Sequence, residues 1–94
     1  MENKVLEYVE YLKKTKGISL NTEMAYRRDL MKLVKYLDAQ NVSDVTQITV
    51  TNLNSYMLHM EKQGLTNTTI SRNVASIKGF FQYLVREGIL AEDV

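Results

Sequence analysis

Two stretches of the chain place hydroxyl and basic side chains at helical spacing. Gly17-Ile18-Ser19-Leu20-Asn21-Thr22 and Gly64-Leu65-Thr66-Asn67-Thr68-Thr69 share the pattern G-[IL]-[ST]-x-x-T. Arg27, Arg28 and Lys32 follow the first; Arg72, Ser76 and Lys78 follow the second. A helix N-terminus presents unpaired backbone N–H groups and roughly half a positive charge, which favours an oxyanion such as phosphate. Hydroxyls beside those amides add donors, and a cation one turn later adds charge. The combination suits a nucleic-acid backbone, to which most protein–DNA hydrogen bonds are made. One threonine is enough to cap a helix, so Thr66, Thr68 and Thr69 together ask for a second purpose.

Helices must hold these groups. Apolar residues recur at helical spacing in four places: Val5, Tyr8, Val9 and Leu12; Tyr26, Leu30, Leu33, Val34 and Leu37; Leu53, Tyr56, Met57 and Met60; and Ile70, Val74, Ile77, Phe81 and Leu84. The predicted spans are about 3–15, 20–39, 50–63 and 67–87. Ser19 stands as N-cap of the second helix and Thr66 of the fourth, while Gly64 and Gly88 stop the third and fourth. The connection AQNVSDVTQITV is rich in β-branched residues, but a lone strand would have no partner, so it reads as an ordered loop. The chain has no proline, and its length of 94 residues suits one domain over 1–94. The fold class is all-α, a compact four-helix bundle.

At about 100° per residue, the apolar residues of the fourth helix gather around Ile70, and Thr68, Arg72, Ser76 and Arg86 fall away from them. Lys78 lies on a flank. On the second helix Arg28, Lys32 and Lys35 form one stripe away from Leu30. Charge is segregated in the same way. Residues 13–35 hold seven basic side chains against Glu23 and Asp29, and residues 62–86 hold four and no acid. The remainder carries one lysine and nine acids, so the net charge of +1 hides two cationic segments. A basic stripe on a helix is ordinarily a solvated face. Here the missing counter-charge and the hydroxyl-rich entrances set it apart.

Other chemistries have less behind them. His59 is the only histidine and there is no cysteine, so it reads as a surface or half-buried helical residue rather than a metal ligand. The six tyrosines mostly fall at core spacing, with Tyr11 and Tyr83 projecting from it. Phe80-Phe81 reads as one core and one flanking residue, and the five methionines as core fillers. Glu92-Asp93 pairs two carboxylates near the C-terminus without a base, a nucleophile or a pocket. No catalytic constellation is present, and neither a metal nor an organic cofactor is expected. The N-terminal MENKVLEYVEYL carries acids and no apolar centre, so no signal peptide is expected. No apolar run is long enough to span a bilayer, and the absence of cysteine fits a reducing cytoplasm.

NTEMAYRRDL (21–30) and TISRNVASIKGFFQYLVREGIL (69–90) resemble the two signature helices of the N-terminal core-binding, SAM-like domain of tyrosine recombinases, the phage-integrase and Xer-like family. The family pattern is approximately G-[IL]-S-x-x-T-x-x-x-Y-x-x-D-L, then T-[IL]-x-R-x-L-S-x-[IL]-[RK]-x-F-[FY]-x-[YF]-L-x-x-x-G. The chain follows it over 17–37 and 64–90. It departs at Asn73, Val74 and Ala75, where the family often has a basic residue and then Leu-Ser, and at Glu92-Asp93-Val94 in place of Asn-Pro.

The resemblance implies an orthogonal four-helix bundle that clamps duplex DNA opposite a separate catalytic domain, for integration or recombination. It implies contacts with other recombinase protomers in the full-length protein, and a monomeric domain in isolation. By position it assigns DNA contacts to Thr22 and Arg28 on the second helix. On the fourth it assigns Thr68, Thr69, Arg72, Ser76 and Lys78; charge and placement add Arg27 and Lys32. Thr22, Thr68 and Thr69 would donate to phosphate, and Arg72 would read a guanine edge. The competing expectation is a helical interaction module whose basic faces dock an acidic protein.

Overall fold

The computed structural model describes residues 1–91; Glu92 and Asp93 lie outside the described residues. Four α-helices follow in order: α1 (Glu2–Lys16), α2 (Leu20–Ala39), α3 (Val50–Lys62) and α4 (Asn67–Arg86). The predicted spans agree with these to within a residue or so. α2 packs on each of the other three helices, and α4 also touches α1 and α3. The bundle measures 35 × 29 × 18 Å along its principal axes.

Each boundary has a local cause. Ser19 Oγ accepts the Thr22 N–H at 3.2 Å to open α2, and Thr66 Oγ1 accepts the Thr69 N–H at 3.2 Å to open α4. α3 opens with a reciprocal capping box, in which Thr49 Oγ1 accepts the Asn52 N–H and Asn52 Oδ1 accepts the Thr49 N–H. Gly64 follows α3 at φ 77°, a left-handed conformation that costs glycine little, so the chain reverses into α4 within a few residues.

The connection between α2 and α3 contains a single 3-10 turn, Val45–Gln47, capped by Asp44. Its β-branched residues serve burial rather than a strand: Val42, Val45 and Ile48 all enter the core. Val5, Tyr8, Val9 and Leu12 on α1 and Leu30, Leu33, Val34 and Leu37 on α2 are buried as the periodicity predicts. Two expectations need correction. Phe80 is not a flanking residue: it is 1% exposed, as is Phe81. Met57 was expected inside and is 37% exposed. The inward face of α4 is centred nearer Phe80 and Leu84 than Ile70, because α1, α2 and α3 all press on it. Ile70 and Val74 lie at the margin of that face and are half-buried.

Tyr8 seals the contact of α1 with α4. Its ring meets Phe80 and Tyr83 at centroid distances of 5.7 and 5.4 Å, and its hydroxyl lies where a β-carbon on Gly79 would stand. Burial pushes the Tyr8 phenol up to about 12, and burial followed by the charge of Asp29 does the same for Tyr56. Both pKa values lie above the ordinary 10.0, so the folded state favours the protonated phenols. Their contribution to stability is complete below pH 10 and is lost as the pH climbs towards 12. Denaturant melts taken across that range should show stability falling with pH, and Tyr8→Phe should flatten the fall. A Tyr8→Phe profile as steep as the wild type would sink the assignment.

Candidate nucleic-acid interface

The repeated helix entrances are a pair of identical caps. Ser19 Oγ donates to Thr22 Oγ1 at 3.0 Å while accepting the Thr22 amide, and Thr66 Oγ1 does the same to Thr69 at 3.0 Å. The threonine in the third helical position therefore has a structural task. Because its oxygen accepts, its own hydroxyl proton remains available to an outside acceptor. Thr68 is fully on the surface and Thr69 half-buried.

Arg72 and Asp29 join α4 to α2. Nε and Nη2 of Arg72 donate to Oδ2 and Oδ1 of Asp29 at 2.7 and 3.1 Å. Asp29 is 3% exposed and the Arg72 side chain 39%, so the pair sits at the edge of the core with the guanidinium partly in water. The hydrogen bonds to Asp29 push the Arg72 guanidinium above its already high range, which fixes its charge. Arg28 Nε approaches the same carboxylate at 4.0 Å. Bidentate pairing of this kind fixes orientation as well as charge. The pairing uses Nε and one hydrogen of Nη2, so among the described residues both Nη1 hydrogens and the second Nη2 hydrogen stay free, and Asp29 holds the outer fork of Arg72 in place.

Around this pair lies a groove of about 790 Å³ between α2, α3 and α4. Arg28, Lys32, Lys35 and Tyr36 line it from α2, Tyr56 and His59 from α3, and Thr69, Arg72 and Asn73 from α4. The Tyr36 ring meets His59 at 4.9 Å and Tyr56 at 5.2 Å, so of the surface and half-buried placements the sequence left open, the histidine takes the half-buried one, against aromatics. Among the described residues Asp29 is the only acid on the lining, and Arg72 already neutralises it. The other acid within this cationic stretch of α2, Glu23, is met by Lys13 at 3.5 Å. Among the described residues Arg27, Lys32 and Lys35 meet no acid within ion-pair distance.

Of the residues singled out from sequence, the groove brings together Arg28, Lys32, Thr69 and Arg72. Arg27, Thr68 and Lys78 are exposed outside its lining, and Thr22 is half-buried at the start of α2. Ser76 is corrected: it is 2% exposed, and its Oγ has no hydrogen-bond partner among the described residues. The rotation of α4 that buries Phe80 also carries Ser76 inward, which removes it from any outer face. Asn73 is buried too, and donates from Nδ2 to the Thr69 carbonyl at 2.9 Å. Tyr11 and Tyr83 pair with each other at 4.9 Å, and Arg86 lies over the Tyr11 ring. They form a separate surface between α1 and α4. Asp29, Tyr36 and His59 escaped notice as site residues. Half of the signal for Asp29 was available, an acid beside the core stripe of α2; its arginine partner on α4 is set by the packing of the two helices.

Among the described residues no helix is long and apolar enough to cross a membrane, and no cluster of three or more His, Cys, Asp or Glu could hold a metal ion. The bundle, its paired hydroxyl caps and its order of elements define a small all-α domain of the SAM-like class. The family model for the phage integrase N-terminal SAM-like domain matches residues 5–88, and the chain belongs to that family. It is 31% identical over 93 residues to tyrosine recombinase XerC of Pseudomonas syringae pv. syringae, covering 99% of this chain and 31% of that protein. It is 31% identical over 94 residues to tyrosine recombinase XerD of Oceanobacillus iheyensis, covering 99% and 32%. It is 28% identical over 87 residues to XerC of Listeria monocytogenes serotype 4a, covering 93% and 29%. The chain thus spans about a third of the length of these relatives. No solved structure matches it.

Proposed function

We propose that this domain binds duplex DNA through the outer faces of α2 and α4, and that it positions a separate catalytic domain for site-specific recombination. The observation that carries the reading is the cationic groove between those helices, with Arg28, Lys32, Lys35 and Arg72 on its walls against a single lining acid among the described residues, Asp29, which Arg72 pairs. Membership of the integrase family supports it, because the relatives are tyrosine recombinases and this is their N-terminal portion. On this reading Thr22, Thr68 and Thr69 donate to backbone phosphates and Arg27 and Lys78 flank the contact. Recombinase protomers would be the further partners in a full-length protein.

A polyelectrolyte partner gives the test. Neutralising about 4–6 phosphates makes log K fall linearly with log salt, at a slope of about −4 to −5. Titration of a short duplex, followed by backbone amide shifts, should show salt-sensitive changes over 19–35 and 66–79. Shifts confined to α1 and α3, or binding indifferent to salt, would sink the proposal in favour of a protein-docking module.

A further inference from the structure

Arg72 lies on the groove wall with Nε and Nη2 held by Asp29, and among the described residues Nη1 carries no hydrogen bond. Its charge cannot swing away, because the buried carboxylate fixes two of its three nitrogens. Arg28 and Lys32 line the same groove one helical turn apart on α2, and the half-buried Thr69 lines it from the first turn of α4. Three cations and a hydroxyl therefore line one concavity, and the one carboxylate on its lining among the described residues, Asp29, is held by Arg72. That is the donor set for a single tetrahedral oxyanion. A duplex contact spread evenly over a helix face would not need a buried acid to hold one of its arginines still.

We propose that the groove between α2 and α4 is a discrete single-phosphate site, in which Asp29 acts as a positioning residue. It presents the outer edge of Arg72, together with Arg28 and Lys32, to one phosphate group. The inference deepens the DNA-binding reading, and in the DNA complex the occupant would be one backbone phosphodiester; free inorganic phosphate offers the same chemistry. Arg72 then serves as a fixed phosphate ligand, and Asp29 acts through it without touching the ligand.

The test uses the chain labelled with 15N, titrated first with inorganic phosphate into the millimolar range and then with a short duplex. The Arg72 Nε–H signal and the Thr69 amide should shift together with phosphate alone. Lys32→Gln should weaken phosphate binding by about tenfold, as loss of one charge-assisted hydrogen bond does. Lys62→Gln makes the same charge change on an exposed lysine outside the groove and should alter binding by less than about twofold. Arg72→Lys keeps the net charge but not the forked pairing, and should lower the duplex salt slope by about one. Equal losses in the two glutamine variants, or an Arg72→Lys slope equal to wild type, would overturn the site and leave duplex binding standing. Phosphate shifts in the groove with no duplex binding at low salt would retain the site and overturn the DNA reading.

Discussion

Replacing Phe80 with alanine is expected to cost about 3–5 kcal/mol, the range for truncating a buried aromatic. Phe80 is 1% exposed and packs between Tyr8 and Phe81 at centroid distances of 5.7 and 5.8 Å. Removing it takes apolar area out of the core and leaves a void where α1 and α4 meet. Tyr8 cannot relax into that void by moving along α4, because its hydroxyl is already lodged against Gly79. Against a typical stability of about 5–15 kcal/mol the loss is a large fraction. For a chain of this size it should lower Tm by at least about 12 °C. Lys78→Ala on the exposed side of the same helix should change stability by no more than about 0.5 kcal/mol. Equal melting temperatures for the two variants would show that Phe80 is a surface residue after all.

Asp29→Ala carries the second large effect, about 2–3 kcal/mol. Breaking a fully buried ion pair costs about 3–5 kcal/mol; here the Arg72 side chain is 39% exposed, so water recovers part of the loss. The change strands a guanidinium beside an empty, 3% exposed site and releases the link between α2 and α4. A second readout is independent of unfolding. Asp29 is the charge that adds to burial in raising the Tyr56 phenol, so the Tyr56 titration should move back towards 10.0 in this variant. Asp29→Ala combined with Arg72→Met should recover much of the stability, since the cost lies mainly in the orphaned charge. A double variant as unstable as the sum of the two single ones would refute the coupling.

How much of this was legible in sequence follows from what each signal encodes. Apolar spacing fixed the four helices because each has a single stripe to bury, and the caps at Ser19 and Thr66 were readable because capping is local chemistry. The phase of α4 was not. Ile70 and Phe81 share a stripe with Phe80 and Ser76 beside it, and only the arrangement of three neighbouring helices decides which edge of that stripe turns inward. The same limit governed Arg72. Its place near the start of a basic helix was evident, but its partner lies 43 residues earlier, and no local periodicity links the two. Thr22 and Thr69 show the reverse case: the pattern marked them as phosphate donors, and the structure gives them a capping task that the pattern alone already explains.

The shortest dimension of the bundle is 18 Å, about half of the longest, 35 Å. Leu33 and Ile77 are buried on the same two helices whose Lys32 and Arg72 line the groove. Close-packed interiors transmit displacement rather than absorb it, so this domain has no insulating depth. Selection acting on its core acts on the surface that carries the groove as well, and the two cannot drift independently. A lineage altering the groove would be expected to change inward positions on α2 and α4 along with the outward ones.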